Sequence, residues 1–126
     1  MFDKKEYNRS YHKTPHGCFT RLRANARRRG RNFGIEKAIF IKWLVAQENK
    51  CHYCGVKFSP NGMWHAWDSR SVDRLDNNVG YLIDNIVLCC RSCNVIKGNI
   101  FSEEEMLEIA QKYIMPKLKE GKVGWK

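Results

Sequence analysis

Two pairs of cysteines, each separated by two residues, are the feature that most restricts how this chain can fold. Cys51 and Cys54 form the first pair and Cys90 and Cys93 the second, with 35 residues between the pairs. Four thiolates complete a tetrahedral set for zinc, and two such pairs are typical of a structural zinc site. Because no coordination position stays open, this zinc would brace the fold and take no part in chemistry.

The other two cysteines do not fit the zinc spacing. Cys89 precedes Cys90 directly and is predicted to be a buried thiol, and Cys18 is predicted to be a small apolar residue of the first helix. The N-terminus lacks the apolar stretch of a secretory signal, which favours a reducing, cytoplasmic compartment over a disulfide framework. No apolar run approaches the roughly 18 residues of a membrane span, so we expect no membrane partner.

Positive charge is concentrated in the first part of the chain. Of a net charge of +10 over 126 residues, residues 1–50 contribute 13 basic and 4 acidic side chains, whereas residues 51–100 have 5 and 4. The densest cluster is Arg21, Arg23, Arg27, Arg28, Arg29 and Arg31. Because a guanidinium binds phosphate oxygens in pairs, this cluster predicts a nucleic-acid partner. A solvated helical face is the alternative, and charge alone does not separate DNA from RNA.

The spacing of apolar residues and turn signals predicts a mixed α+β chain of one domain. Thr14-Pro15 predicts the start of a helix that Gly30 ends, and a second helix is expected over 36–49. Between the cysteine pairs we expect strands at 66–74 and 86–88 with a loop at 75–84. A short helix over 90–97 follows.

A last helix is expected to begin at the capping box formed by Ser102 and Glu105. Its inward residues would be Met106, Ile109, Ala110 and Tyr113. Pro116 is expected to kink or end the helix.

The segment 71–98 resembles the HNH endonuclease family. It fits the pattern D-R-x-D-N-x-x-G-Y-x-x-D-N-x-x-x-C-C-x-x-C-N-x-x-K-G, which follows a C-x-x-C-G turn as it does here. The resemblance extends over 14–101 and is greatest to small phage and bacterial members of the Asp-Arg type. It implies a ββα-metal unit braced by a four-cysteine zinc, flanked by basic helices and a C-terminal helix. It also implies a bacterial host cell and allows a phage-encoded origin.

The resemblance further implies that different parts of the single domain have different roles. Residues 1–50 would contact DNA, 51–100 would form the catalytic core, and 101–126 would add a helix. Asp73 and Asn94 would bind one catalytic Mg²⁺ or Mn²⁺, and their oxygen atoms suit such hard cations. Asn85 would brace the loop and orient the base. Lys97 would join the six arginines as a DNA-contacting residue.

The sequence departs from the family at the residue that activates water. Arg74 stands where the family has its first histidine, and arginine cannot lose its proton in a protein. Arg74 is therefore expected to hold the scissile phosphate and neutralise its charge. His65 is the leading candidate for the general base, since histidine titrates near neutrality. A surface role for His65 is the alternative, and Tyr81 and His52 are weaker candidates.

Two functions follow from these features. The first is a divalent-metal-dependent endonuclease that nicks or cuts DNA. The second is a zinc-stabilised nucleic-acid-binding module that has lost catalysis along with the histidine. Neither the recognition sequence nor the choice between monomer and homodimer is fixed by the sequence.

Overall fold

The computed structural model describes residues 2–5, 14–59 and 66–121. His65 lies outside the described residues. The chain divides into two compact units, one formed by Met1–Gln47 with Val79–Asn85 and the other by Glu48–Asn78 with Ile86–Lys126. No described helix is long and apolar enough to cross a bilayer.

The first unit contains two helices, α1 (Pro15–Arg28) and α2 (Lys37–Ala46). As predicted, Thr14 caps α1, since its hydroxyl accepts from the Gly17 amide at 3.0 Å. Helix α2 ends three residues earlier than the sequence predicts. At that end the Gln47 side-chain amide donates to the Trp43 carbonyl at 3.0 Å, which satisfies a carbonyl that a longer helix would have bonded.

Aromatic packing and a backbone bridge hold the first unit together. Phe19 packs against Phe33 and Phe40, with ring centroids 5.5 and 5.7 Å apart. The 79–85 loop belongs to this unit because Tyr81 bridges to Phe33 and its amide donates to Asn32 at 2.8 Å. A Cβ on Gly80 would lie 2.5 Å from the Asn32 carbonyl oxygen, so the close approach requires glycine.

The second unit is built on a two-stranded antiparallel sheet, followed directly by a helix. Strands β1 (Arg70–Arg74) and β2 (Ile86–Cys90) pair with Asp73 opposite Val87, and helix α3 (Arg91–Lys97) begins where β2 ends. The predicted α+β class and its order are confirmed. The predicted bounds were wrong, because residues 66–69 lie before the ladder and Cys89 and Cys90 extend it.

The C-terminal part is one helical stretch with a wide turn inside it. The predicted capping box is present, and α4 (Glu103–Ile109) runs into a π-helical turn (Ala110–Ile114) and then α5 (Met115–Lys119). The wide turn accommodates Pro116, which lacks the amide that an α-helix needs. It also rotates Tyr113 outward, so this residue is 63% exposed and its predicted burial was wrong.

Candidate active site

The four predicted zinc ligands converge. Their Sγ atoms all lie within 4.8 Å of one another, and all four residues are buried. Cys51 and Cys54 are on a tight turn closed by the bridge between Lys50 and Lys57, and Gly55 allows the bend with φ of 76°. Cys90 ends β2 and Cys93 is in the first turn of α3. The zinc set therefore joins the turn to the sheet and the helix.

The surroundings of these sulfur atoms suit a metal cation. Backbone amides of Tyr53 and Cys54 donate to Sγ of Cys51, and the amide of Cys93 donates to Sγ of Cys90. The pKa of Cys90 and that of Cys93 are raised, chiefly by hydrogen bonding with Cys51. Four thiols this close can all ionise only around a cation, and the set could hold zinc.

Cys89 stays outside the zinc set, as predicted. It is fully buried, and its Sγ lies 3.4 Å from the Ser71 hydroxyl. The pKa of the Cys89 thiol is raised, chiefly by burial, so Cys89 is an inert packing residue.

Asp73 lies near the end of β1, only 6% exposed. The Tyr53 hydroxyl donates to its Oδ2 at 2.5 Å, and Nζ of Lys97 lies 3.2 Å from the same oxygen. Burial, followed by the hydrogen bond to Asp73, raises the pKa of Tyr53, so the phenol is a hydrogen-bond donor at neutral pH. Sequence reasoning missed Tyr53, although its place inside the first cysteine pair ties it to the zinc turn.

Lys97 is the largest correction to the predicted site. Its side chain is 0% exposed, and its ammonium also donates to the Arg74 carbonyl at 2.8 Å and to Oδ1 of Asn77 at 2.7 Å. The sequence placed Lys97 among the DNA-contacting residues. That assignment was wrong, because a buried ammonium held by internal acceptors offers no surface to a phosphate.

Asn94 lies on α3, three residues before Lys97 and therefore on the same face of the helix. Since Lys97 contacts Asp73, this face is the one turned toward β1. The Asn94 side chain is half-buried. The side-chain amide of Asn94 has no hydrogen-bond partner within residues 14–59 and 66–121. By its position in the helix, Asn94 therefore lies toward the strand-facing side.

Arg74 is also buried, next to Asp73 in sequence. Its Nη2 donates to Oδ1 of Asn99 at 3.2 Å. Asn99 lies in the turn after α3 and was not among the predicted site residues. No local pattern marks it, because the contact depends on how that turn folds back toward β1.

Asn85 and the two weaker base candidates have partners of their own. The Asn85 amide donates to the carbonyls of Val79 and Gly80 at 3.3 and 3.0 Å, which closes the loop of the first unit. In the same unit the hydroxyl of Tyr81 accepts from Arg31 at 3.3 Å. In the second unit, Nε2 of His52 lies 2.7 Å from Oε2 of Glu103.

The six predicted DNA-contacting arginines differ in exposure. Arg27, Arg28 and Arg29 are exposed at the end of α1. The other three are half-buried, and among them the Arg23 guanidinium lies 5.2 Å above the Phe19 ring. The exposed three therefore offer the most accessible charge for a polyanion.

A two-stranded sheet, a helix that follows it directly and four converging cysteines define the class of zinc-braced ββα units. The comparison with solved structures finds the rare-cutting HNH restriction endonuclease PacI, with a TM-score of 0.66. It is 32% identical, and the match covers 82% of this chain and 78% of that one. The chain belongs to the HNH endonuclease family.

A viral protein is also similar to this chain. It is the uncharacterized protein R423 of Acanthamoeba polyphaga mimivirus, 32% identical over 82 residues. The match covers 65% of this chain but only 14% of that protein, so the chain corresponds to a small part of its length. No protein-family model matches the chain.

Proposed function

We propose that this chain is a divalent-metal-dependent endonuclease that hydrolyses phosphodiester bonds of DNA. One observation carries the proposal: the buried carboxylate of Asp73 is paired with Lys97 of α3, three residues after Asn94, whose side-chain amide has no hydrogen-bond partner among the described residues. DNA as the substrate rests on the likeness to PacI, which is a restriction endonuclease.

The residues present fit a Mg²⁺ or Mn²⁺ ion. The Asp73 carboxylate and the Asn94 amide would supply two oxygen ligands, and such ions commonly complete their shell with water and substrate phosphate. When bound, the metal would offset the negative charge that develops on the phosphate and on the leaving oxygen.

Other side chains would bind the phosphate and activate the attacking water. Arg74 keeps 8% of its surface exposed, whereas Lys97 has 0%, and its guanidinium would hold the scissile phosphate. A water oxygen forms the new bond to phosphorus as the ester P–O bond breaks, with the water proton passing to a base. We keep His65 as the proposed base, while Asn85 braces its own loop through Val79 and Gly80. The leaving oxygen takes a proton from solvent.

The test is plasmid cleavage by the zinc-loaded protein with and without Mg²⁺ or Mn²⁺. Leaving the metal out, instead of adding a strong chelator, keeps zinc on the cysteines. Asn94→Ala should lower the rate at saturating metal by about 100-fold, the scale expected for a lost group that acts on transition-state charge. Binding without cleavage under every condition would favour the zinc-stabilised binding module instead.

Replacing His65 by alanine should lower the cleavage rate by about 100-fold at neutral pH, because the attacking water would lose its proton acceptor. His16→Ala is the matched control, since His16 is an exposed histidine on α1. The rates are compared on the same plasmid at saturating metal. Equal rates for the two variants would remove His65 from the mechanism.

The exposed arginines at the end of α1 should carry much of the DNA affinity. Replacing Arg27, Arg28 and Arg29 by glutamine should weaken binding at least tenfold at about 0.1 M salt and reduce the salt dependence of the affinity. Fluorescence anisotropy with a labelled duplex measures both. Replacing Lys112, Lys117 and Lys119 in the C-terminal helix by glutamine removes the same charge. An equal loss of DNA affinity in that variant would show that the net charge of the protein, and not the end of α1, determines binding.

A further inference from the structure

A lysine ammonium is buried beside the carboxylate proposed to bind the metal. Nζ of Lys97 lies 3.2 Å from Oδ2 of Asp73 and 3.4 Å from Oδ1. Its other two acceptors, the Arg74 carbonyl and the Asn77 side chain, are neutral. Among the described residues, Asp73 is the one carboxylate within ion-pair distance of Lys97.

This arrangement places a fixed positive charge next to the proposed metal position. A dication on the Asp73 carboxylate would lie within a few ångströms of the ammonium, and charges repel strongly where little water screens them. The ammonium is not free to swing away, because the neutral acceptors hold it at 2.8 and 2.7 Å. The same contacts fix Asp73 relative to α3.

We propose that Lys97 is a positioning residue that holds Asp73 in place and weakens its affinity for the divalent metal. The metal then binds tightly only together with a DNA phosphate, whose negative charge offsets the ammonium. This inference rests on the proposed function. It predicts that metal and DNA strengthen each other's binding, since the coupling between two ligands is reciprocal.

The test is direct Mn²⁺ binding to the zinc-loaded protein, measured by electron paramagnetic resonance. Lys97→Gln removes the charge and keeps an amide donor for the neutral acceptors. The Kd for Mn²⁺ should fall about tenfold in this variant, because the repulsion is gone. The cleavage rate at saturating Mn²⁺ should fall at least tenfold, since Asp73 is held less firmly. Loss of packing alone would not tighten metal binding.

Lys112→Gln is the matched control, because it removes one exposed lysine charge that is paired with Glu108. It should leave both the Mn²⁺ affinity and the cleavage rate unchanged. Unchanged or weaker Mn²⁺ binding in Lys97→Gln would overturn the proposal for Lys97 and leave the endonuclease in place. A wild-type protein that neither binds Mn²⁺ nor cleaves DNA would instead overturn the proposed function.

A second measurement uses the wild-type protein and covers the case in which Lys97→Gln does not fold. A duplex with slowly hydrolysed phosphorothioate linkages should lower the Kd for Mn²⁺ about tenfold, within the usual range of coupling between ligands. An unchanged Kd would contradict the claim that phosphate offsets the ammonium.

Discussion

Replacing Asp73 by asparagine should lower the rate of DNA cleavage about 1000-fold at saturating metal. The amide has nearly the shape of the carboxylate and can still accept the Tyr53 hydrogen bond, which is 2.5 Å long in the wild type. It carries no charge, so the dication would lose its anionic ligand and would face Lys97 unopposed. A loss on this scale is typical when a group that stabilises transition-state charge is removed.

The matched control for this change is Asp76→Asn. Asp76 is exposed, and its side chain accepts from the Asn78 amide at 2.9 Å, a bond that asparagine can also accept. Breaking a buried ion pair costs about 3–5 kcal/mol, so zinc content and circular dichroism of Asp73→Asn must be measured beside its activity. Cleavage that persists in a folded Asp73→Asn protein would show that another group binds the metal.

Removing zinc should unfold the second unit. Its sheet has two strands of five residues and its helix α3 has seven, and four of the eleven buried apolar residues described in this unit are the zinc ligands. Zinc bound by cysteine-rich peptides contributes about 10–16 kcal/mol at neutral pH, as much as the whole stability of an ordinary domain. Far-ultraviolet circular dichroism should show a large loss of cooperative melting after chelation, and added zinc should restore it.

Single cysteine variants separate the ligands from the other thiols. Cys93→Ser should lose zinc and the cooperative melt, because it removes one of the four converging sulfur atoms. Cys89→Ala is the control, since Cys89 is equally buried but lies outside the set. Zinc retained by Cys93→Ser, or lost by Cys89→Ala, would contradict the assignment of the ligands.

Sequence reasoning succeeded where the signal is local. The spacing of Cys51 and Cys54 places two sulfur atoms on one turn, and Thr14 and Ser102 bond to amides within three residues along the chain. Such contacts depend on few backbone angles. The zinc set and the helix starts could therefore be predicted from residue types and spacing alone.

The contacts around Asp73 could not be predicted in the same way. Tyr53 is 20 residues from Asp73 in sequence and Lys97 is 24 residues away, so each contact depends on how distant elements pack. Lysine side chains are rarely buried in proteins, and only the acceptors around Lys97 explain its burial. The predicted burial of Tyr113 was wrong for another reason. The wide turn before Pro116 changes the helical period on which that prediction rested.

The pairing of Asp73 with Val87 determines where this protein can gain or lose residues in evolution. Side chains of a strand alternate between two faces, so one inserted residue in β1 would turn the carboxylate away from Tyr53 and Lys97. The same insertion in the connection between the strands would change no pair and would add little closure entropy. Related nucleases that keep this chemistry are therefore expected to vary in the length of that connection and to conserve the length of β1.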